Sequence, residues 1–268
     1  MNAKGQPNSR PIIQVEGLSA AYGDKVVVRD LTFDVMSGEI FVIAGGSGSG
    51  KSTVLRHMIG LNKPAAGRVL IDGRDIHAVS RAERQEILRR FGVAFQNGAL
   101  FGDMTVLENV CLPMEEFTDL PAHVREMVAL AKLKLVGLEH AAQKLPSELS
   151  GGMQKRAAIA RAIALDPGIL FLDEPSAGLD PITSAGLDQL IVSLSSLLEM
   201  TFVVVTHELP SIFTIAKRVL VLDGSTMTMA ALGDPVSLRD ASPNPWVRAF
   251  FNRQANVAQA ENGQKHGA

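Results

Sequence analysis

The stretch Gly45-Gly46-Ser47-Gly48-Ser49-Gly50-Lys51-Ser52-Thr53 fits the pattern G-x-x-x-x-G-K-[ST]. Its chemistry is that of a phosphate cradle. Glycines let a backbone wrap inward until several N–H groups point at one phosphate. A helix starting at the loop adds partial positive charge. Lys51 then reaches the β/γ-phosphate oxygens of a nucleoside triphosphate, and the Ser52 hydroxyl ligates Mg²⁺. The dinucleotide pattern G-x-G-x-x-G fails at Lys51.

Asp173-Glu174 follow the apolar run Ile169-Leu170-Phe171-Leu172. Strands of a parallel sheet present their C-terminal ends to the ligand crevice. Asp173 there orients Mg²⁺ through water. Glu174 faces the attacking water and accepts its proton, a role worth roughly 10²–10⁴ in rate. Taken alone, the pair reads better as a solvated acidic turn before Pro175; downstream of a phosphate cradle it does not. Gln96, after the apolar residues 91–95, offers a neutral amide to Mg²⁺ or to the lytic water without adding charge. His207, after residues 202–206, places an imidazole N–H where it bonds the γ-phosphate and senses its presence.

Leu149-Ser150-Gly151-Gly152-Met153 opens a helical stretch and forms a second anion site. Ser150 suits the N-cap, and the glycines expose backbone N–H groups. Each glycine costs a helix ~1 kcal/mol against alanine, so the pair predicts a close approach to that backbone. A helical insert separates this turn from the first loop. The geometry that joins the two is a head-to-tail homodimer, with two ATP molecules between P-loop and Ser-Gly-Gly.

The elements that position these groups alternate. Residues 12–18 and 31–35 read as strands, with a turn at 22–24. Residues 39–44 form a buried strand running into the glycine loop, and residues 50–59 a helix with Leu55, Met58 and Ile59 on one face. Further strands are predicted over 68–71, 91–95, 169–172 and 202–206, and helices over 151–165 and 183–198. Arg81 to Arg90 reads as a solvated helix, since Glu83 and Glu86 intersperse the positive charge. From 105 to 148 apolar residues recur at helical spacing (Val124, Met127, Val128, Ala131, Leu135), with Pro121 at a helix start and Gly137 at its end. Continuous apolar strands alternating with helices imply an α/β fold with a parallel sheet covered on both faces. Leu100, Phe101, Met104, Val106 and Leu107 form either an exposed docking groove or subdomain core.

Composition bounds the function. At 268 residues the chain suits one large domain or a core with a subdomain, and 46% hydrophobic residues suffice for a sizeable core. A net charge of −2 predicts no nucleic-acid partner. The single cysteine, Cys111, excludes an internal disulfide framework and fits a reducing, cytosolic compartment. No secretory signal is evident, and no apolar run approaches the ~20 residues of a membrane span.

The ordered set of motifs resembles the nucleotide-binding subunits of ATP-binding cassette (ABC) transporters. The resemblance makes residues 45–53 the Walker A loop, Gln96 the Q-loop, Ser150 to Met153 the signature, and Asp173-Glu174 Walker B with its base. Ser176 to Asp180 then form the D-loop, and His207 is the switch histidine. It implies that Tyr22 stacks on adenine, although the residues alone allow a core or rim tyrosine. It also implies a P-loop NTPase core with a mostly parallel sheet, an N-terminal antiparallel β subdomain and an α-helical subdomain at about 98–165. One ABC ATPase domain then spans 12–253, with flexible termini at 1–11 and 254–268. The expected ligands are ATP and Mg²⁺, and the expected partners a second copy and an integral membrane permease.

Residues 95–101 followed by 104–110, residues 145–149, residues 153–158 with methionine at 153 where most cassettes carry glutamine, and residues 206–213 resemble the cassettes of MCE-associated lipid systems such as the Mla phospholipid pathway. Gly46, where many cassettes have proline, and Lys217, where relatives often have an acid, depart from that pattern. The subgroup implies a periplasmic MCE lipid-binding protein, a small STAS-type subunit, and a peripheral position on the cytoplasmic face of the inner membrane. The rival expectations are import of a polar solute, a soluble non-transport cassette, and a nucleotide switch that scarcely hydrolyses.

Overall fold

The computed structural model describes residues 10–23 and 25–254. The termini named above lie outside the described residues, apart from Arg10, Pro11 and Gln254. β1 (Pro11–Tyr22) and β2 (Lys25–Met36) form an antiparallel hairpin closed by the pair Tyr22 and Lys25. Both strands exceed their predicted lengths. Register shifts on either side of Leu18, with Gly17 at φ +59, break the period-two alternation without ending the pairing. β4 (Ala66–Ile71) lies antiparallel on the other side of β1, and β5 (Arg74–Asp75) completes a sheet of order β2-β1-β4-β5.

The second sheet comprises β3 (Ile40–Gly45), β6 (Phe91–Ala94), β7 (Ile169–Asp173), β8 (Thr201–Val205), β9 (Arg218–Asp223) and β10 (Thr228–Gly233). Its order is β10-β9-β3-β8-β7-β6, parallel except where β10 returns antiparallel beside β9. Every residue of β3, β7 and β8 is buried. Alternate side chains go to opposite faces. Val42, Leu170, Leu172, Phe202 and Val204 join one apolar cluster, while Phe41, Ile43, Phe171, Val203 and Val205 join the other. This two-sided burial explains the unbroken apolar runs in the sequence.

The helices are α1 (Lys51–Met58), α2 (Arg81–Leu88), α3 (Val106–Phe117), α4 (Ala122–Leu135), α5 (Gly151–Ala162), α6 (Pro181–Leu198), α7 (Leu209–Ile215), α8 (Pro235–Ala241) and α9 (Pro245–Phe251). α3, α4 and α5 pack on one another and fill the first cluster with Val110, Met114, Ala129, Leu133 and Ile159. α5 stops three residues short of its predicted end, because the chain turns over 163–166, with Asp166 at φ +50 ahead of Pro167. α6 starts two residues early, because Asp180 caps the N–H groups of Ile182 (3.0 Å) and Thr183 (3.1 Å) with Pro181 at the first helical position.

Candidate functional site

Residues 46–50 join the buried strand β3 to α1. A Cβ at Gly45, where φ is +148, would lie 2.5 Å from the Leu222 carbonyl oxygen and 2.7 Å from Ser49 Oγ. Gly50, at φ +94, is the N-cap of α1, and a Cβ there would lie 2.7 Å from Val28 Cγ1. Only glycine fits either position. α1 has no side-chain cap and no acid in its first turn, whereas Ser80, Thr105, Ser150 and Asp180 cap α2, α3, α5 and α6. Its first-turn N–H groups are thus left for an anion. Ser49 Oγ is buried and has no hydrogen-bond partner among the described residues.

Lys51 Nζ donates to the carbonyls of Gly45 (3.1 Å) and Gly46 (3.0 Å), so the ammonium lies across the loop it is expected to serve. Burial lowers its pKa from the ordinary lysine value, while the charges of Glu174 and Asp173 act the other way. Ser52 Oγ donates to Asp173 Oδ1 at 3.0 Å. Burial raises the Asp173 pKa and Glu174 adds to the rise; the Ser52 bond opposes both. A hydroxyl and a carboxylate brought together in this way are hard oxygen donors of the kind Mg²⁺ takes.

Glu174 has φ +47, a conformation costing a non-glycine residue about 1–3 kcal/mol. Its backbone N–H donates to the Val205 carbonyl at 2.8 Å. Its carboxylate accepts from His207 Nδ1 at 2.9 and 3.0 Å. With Nδ1 engaged by Glu174, Nε2 is the ring nitrogen left to face a phosphate. The parallel register of β7 and β8 pairs Asp173 with Val205, which brings the residues after both strands side by side.

Lys51, Ser52, Gln96, Glu174 and His207 line one cavity of about 370 Å³ with Val27, Ser47, Gly48, Gly50 and Thr53. Tyr22 ends β1 on the hairpin that brings Val27 there; its side chain lies outside the described residues. Sequence reasoning missed two cations on α5. Lys155 Nζ donates to the Gln96 carbonyl. Arg161 donates to the carbonyls of Gly98 (2.9 Å) and Ala99 (2.8 Å). Their only trace in the sequence is two basic residues within a helix.

Ser150, Gly151, Gly152 and Asp180 do not line that cavity among the described residues. Ser150 caps α5, accepting from the Met153 N–H at 3.3 Å. The two glycines have different causes. Gly152 is buried, and a Cβ there would lie 2.4 Å from Thr183 Cγ2 on α6 of the same chain. Gly151 is exposed, and a Cβ would make an ordinary 3.5 Å contact with Leu179. The close approach expected at the diglycine is made at Gly152 by a side chain of the same chain, while Gly151 is left open to a further group. Thr183 Oγ1 also donates to Asp180 Oδ2 at 2.5 Å, so the methyl cannot rotate away without breaking that bond. Gly152→Ala is expected to destabilise the chain by about 1–3 kcal/mol in urea denaturation. Thr183→Ser, which keeps the hydroxyl and removes the methyl, should restore most of the loss.

The apolar stretch after Gln96 divides. Val106 is buried, Leu100 and Leu107 pack against the first cluster, and Phe101 is 49% exposed. Among the described residues no helix is long and apolar enough to cross a membrane.

A family model described as "ABC transporter" matches residues 28–177, more than half of the chain. The Escherichia coli (strain K12) intermembrane phospholipid transport system ATP-binding protein MlaF is 41% identical over 241 residues, covering 90% of this chain and 88% of that protein. The probable ribonucleotide transport ATP-binding protein mkl of Mycobacterium leprae is 40% identical over 240 residues, covering 90% and 68%. Among solved structures, cbiO1 from Clostridium perfringens, part of the ABC transporter complex cbiONQ, superposes with TM-score 0.78 at 28% identity, covering 94% of this chain and 97% of that one. A dimeric bacterial ABC transporter cassette gives 0.75 at 33% identity, covering 83% and 98%. The same cassette in a post-hydrolysis state bound to ADP and Pi gives 0.73 at 31%, with the same coverage. With its strand–glycine loop–helix and the acidic pair at a parallel strand's end, the chain belongs to the ABC transporter family, as an ATP-binding subunit that hydrolyses ATP.

Proposed function

We propose that this ATPase works as a head-to-tail homodimer and powers phospholipid transport through a membrane permease. The observation that carries the chemistry is the convergence of Lys51, Ser52, Gln96, Glu174 and His207 on one cavity. Lys51 transfers its ammonium from the loop carbonyls to the triphosphate oxygens, assisted by the loop N–H groups and the start of α1. Ser52, Asp173 and the Gln96 amide would hold Mg²⁺, which when bound offsets charge on the β/γ-phosphate oxygens. Glu174 takes the proton of the attacking water, and the Nδ1–H of His207 orients its carboxylate. Residues 12–253 act as one ATPase domain, with 98–165 as the helical subdomain, and Tyr22 meets the adenine. Closure of two copies around ATP supplies the differential binding that shifts the permease between conformations.

Ser150, Gly151 and Asp180 lie away from their own chain's cavity, which supports their acting on the partner's nucleotide. Ser150→Arg should leave ATP binding by separate monomers unchanged and lower hydrolysis about 10²–10³-fold, as loss of aligned donors does. Phosphate release alongside nucleotide titration measures both, and full activity would remove the trans arrangement.

The phospholipid reading draws support from the relative that this chain matches over most of its length, an intermembrane phospholipid transport ATP-binding protein. It implies an MCE lipid-binding protein, a STAS-type subunit and placement on the cytoplasmic face of the inner membrane. The relative described as a probable ribonucleotide transport ATP-binding protein supports a second reading, movement of a polar solute. Purification from detergent-solubilised membranes, with mass spectrometry of co-eluting proteins and lipids, separates the two. A permease with an MCE-domain protein and phospholipid is expected. A solute-binding lipoprotein in their place would overturn the lipid reading.

A further inference from the structure

The segment between β6 and α3 carries Gln96 and has no regular structure of its own. Ala99 in this segment has φ +49, a strained conformation for a residue with a side chain, so outside contacts must hold its path. At its far end those contacts are numerous. Arg161 holds the carbonyls of Gly98 and Ala99, and the guanidinium lies 6.0 Å from the Phe101 ring centre. The buried Asn109 side chain accepts from the Phe101 N–H at 2.9 Å and donates to the carbonyls of Phe101 and Met104. At Gln96 itself one side-chain hydrogen bond is made among the described residues, that from Lys155 Nζ to the main-chain carbonyl.

We propose that Lys155 is a positioning residue for Gln96, fixing the backbone from which the Gln96 amide is presented to the nucleotide cavity. The proposal rests on the reading of Gln96 as a ligand of Mg²⁺ or of the lytic water. Lys155 stands five residues beyond Ser150 on α5, and Arg161 stands six beyond Lys155. One helix therefore bears the signature turn at its start and grips the Gln96 segment along its length. A shift of Gln96 is felt by the serine that serves the opposite nucleotide, and the reverse. Burial lowers the Lys155 pKa, while the charges of Glu174 and Asp173 act the other way.

Lys155→Met keeps the length and apolar bulk of the side chain and removes its donor. In the full chain, kcat should fall about tenfold to a hundredfold, the range a small misplacement of a reacting group produces. The Mg²⁺ concentration for half-maximal activity should rise, with ATP affinity and the unfolding midpoint unchanged. Lys155→Arg, which retains a donor, should recover most of the rate. On a Gln96→Ala background Lys155→Met should have no further effect, since the two changes then remove one interaction. Wild-type activity of Lys155→Met, additivity with Gln96→Ala, or weakened ATP binding in place of weakened Mg²⁺ activation would each overturn the proposal. If Gln96→Ala itself left the rate unchanged, the Gln96 reading would fall and this one with it. If Gln96→Ala lowered the rate and Lys155→Met did not, the positioning role alone would fall.

Discussion

Glu174→Gln is expected to retain ATP, trap a dimer and lose hydrolysis by about 10²–10⁴-fold, the usual contribution of a positioned proton acceptor. The substitution is nearly isosteric. The amide oxygen can still accept from His207 Nδ1, whose present distance is 2.9 Å, and the backbone N–H bond to Val205 is unaffected. What is lost is basicity at the atom facing water. Binding should hold or tighten, because a negative charge leaves the neighbourhood of a polyanion. The same charge now raises the pKa of Asp173, so its removal favours ionised Asp173 beside Ser52. Single-turnover phosphate release measures the chemistry, and sedimentation with ATP and Mg²⁺ measures assembly. A variant that hydrolyses normally would exclude Glu174 as the base. One that stays monomeric at saturating nucleotide would leave the signature turn without a nucleotide to grip.

Sequence legibility tracked how local the cause was. The glycine loop was readable because a phosphate demands bare backbone, and Gly45 and Gly50 occupy positions where a Cβ would strike Leu222 and Val28. The acidic pair was readable because four apolar residues precede it and a doubly covered strand must be apolar throughout. The contact of His207 with Glu174 was not readable. It follows from β7 and β8 being neighbours in register, roughly 4.8 Å apart, and neither strand records its neighbour. The cause of Gly152 lay on another helix, at Thr183. β9 and β10 were missed although Val219 to Leu222 form an apolar run bounded by Asp223-Gly224, the same kind of signal that revealed β7.

Lys51→Ala should weaken ATP binding by about 10²-fold or more, the equivalent of roughly 3 kcal/mol. Charge-assisted hydrogen bonds contribute about 1.5–3 kcal/mol each, and the ammonium is placed to make more than one with a triphosphate. Charge balance adds to this loss. Asp173 and Glu174 are both buried carboxyls in the field of Lys51, and without it they oppose an incoming polyanion unscreened. The carbonyls of Gly45 and Gly46 also lose the donor that bridges them, so the loop that must wrap the phosphates is less well formed before binding. ADP should suffer less than ATP, because it lacks the γ-phosphate oxygens that the ammonium would share. Titration calorimetry with both nucleotides gives the two affinities. An unchanged ATP affinity would show that the loop binds through its N–H groups alone, and Lys51 would then be a structural brace across Gly45 and Gly46 rather than a phosphate ligand.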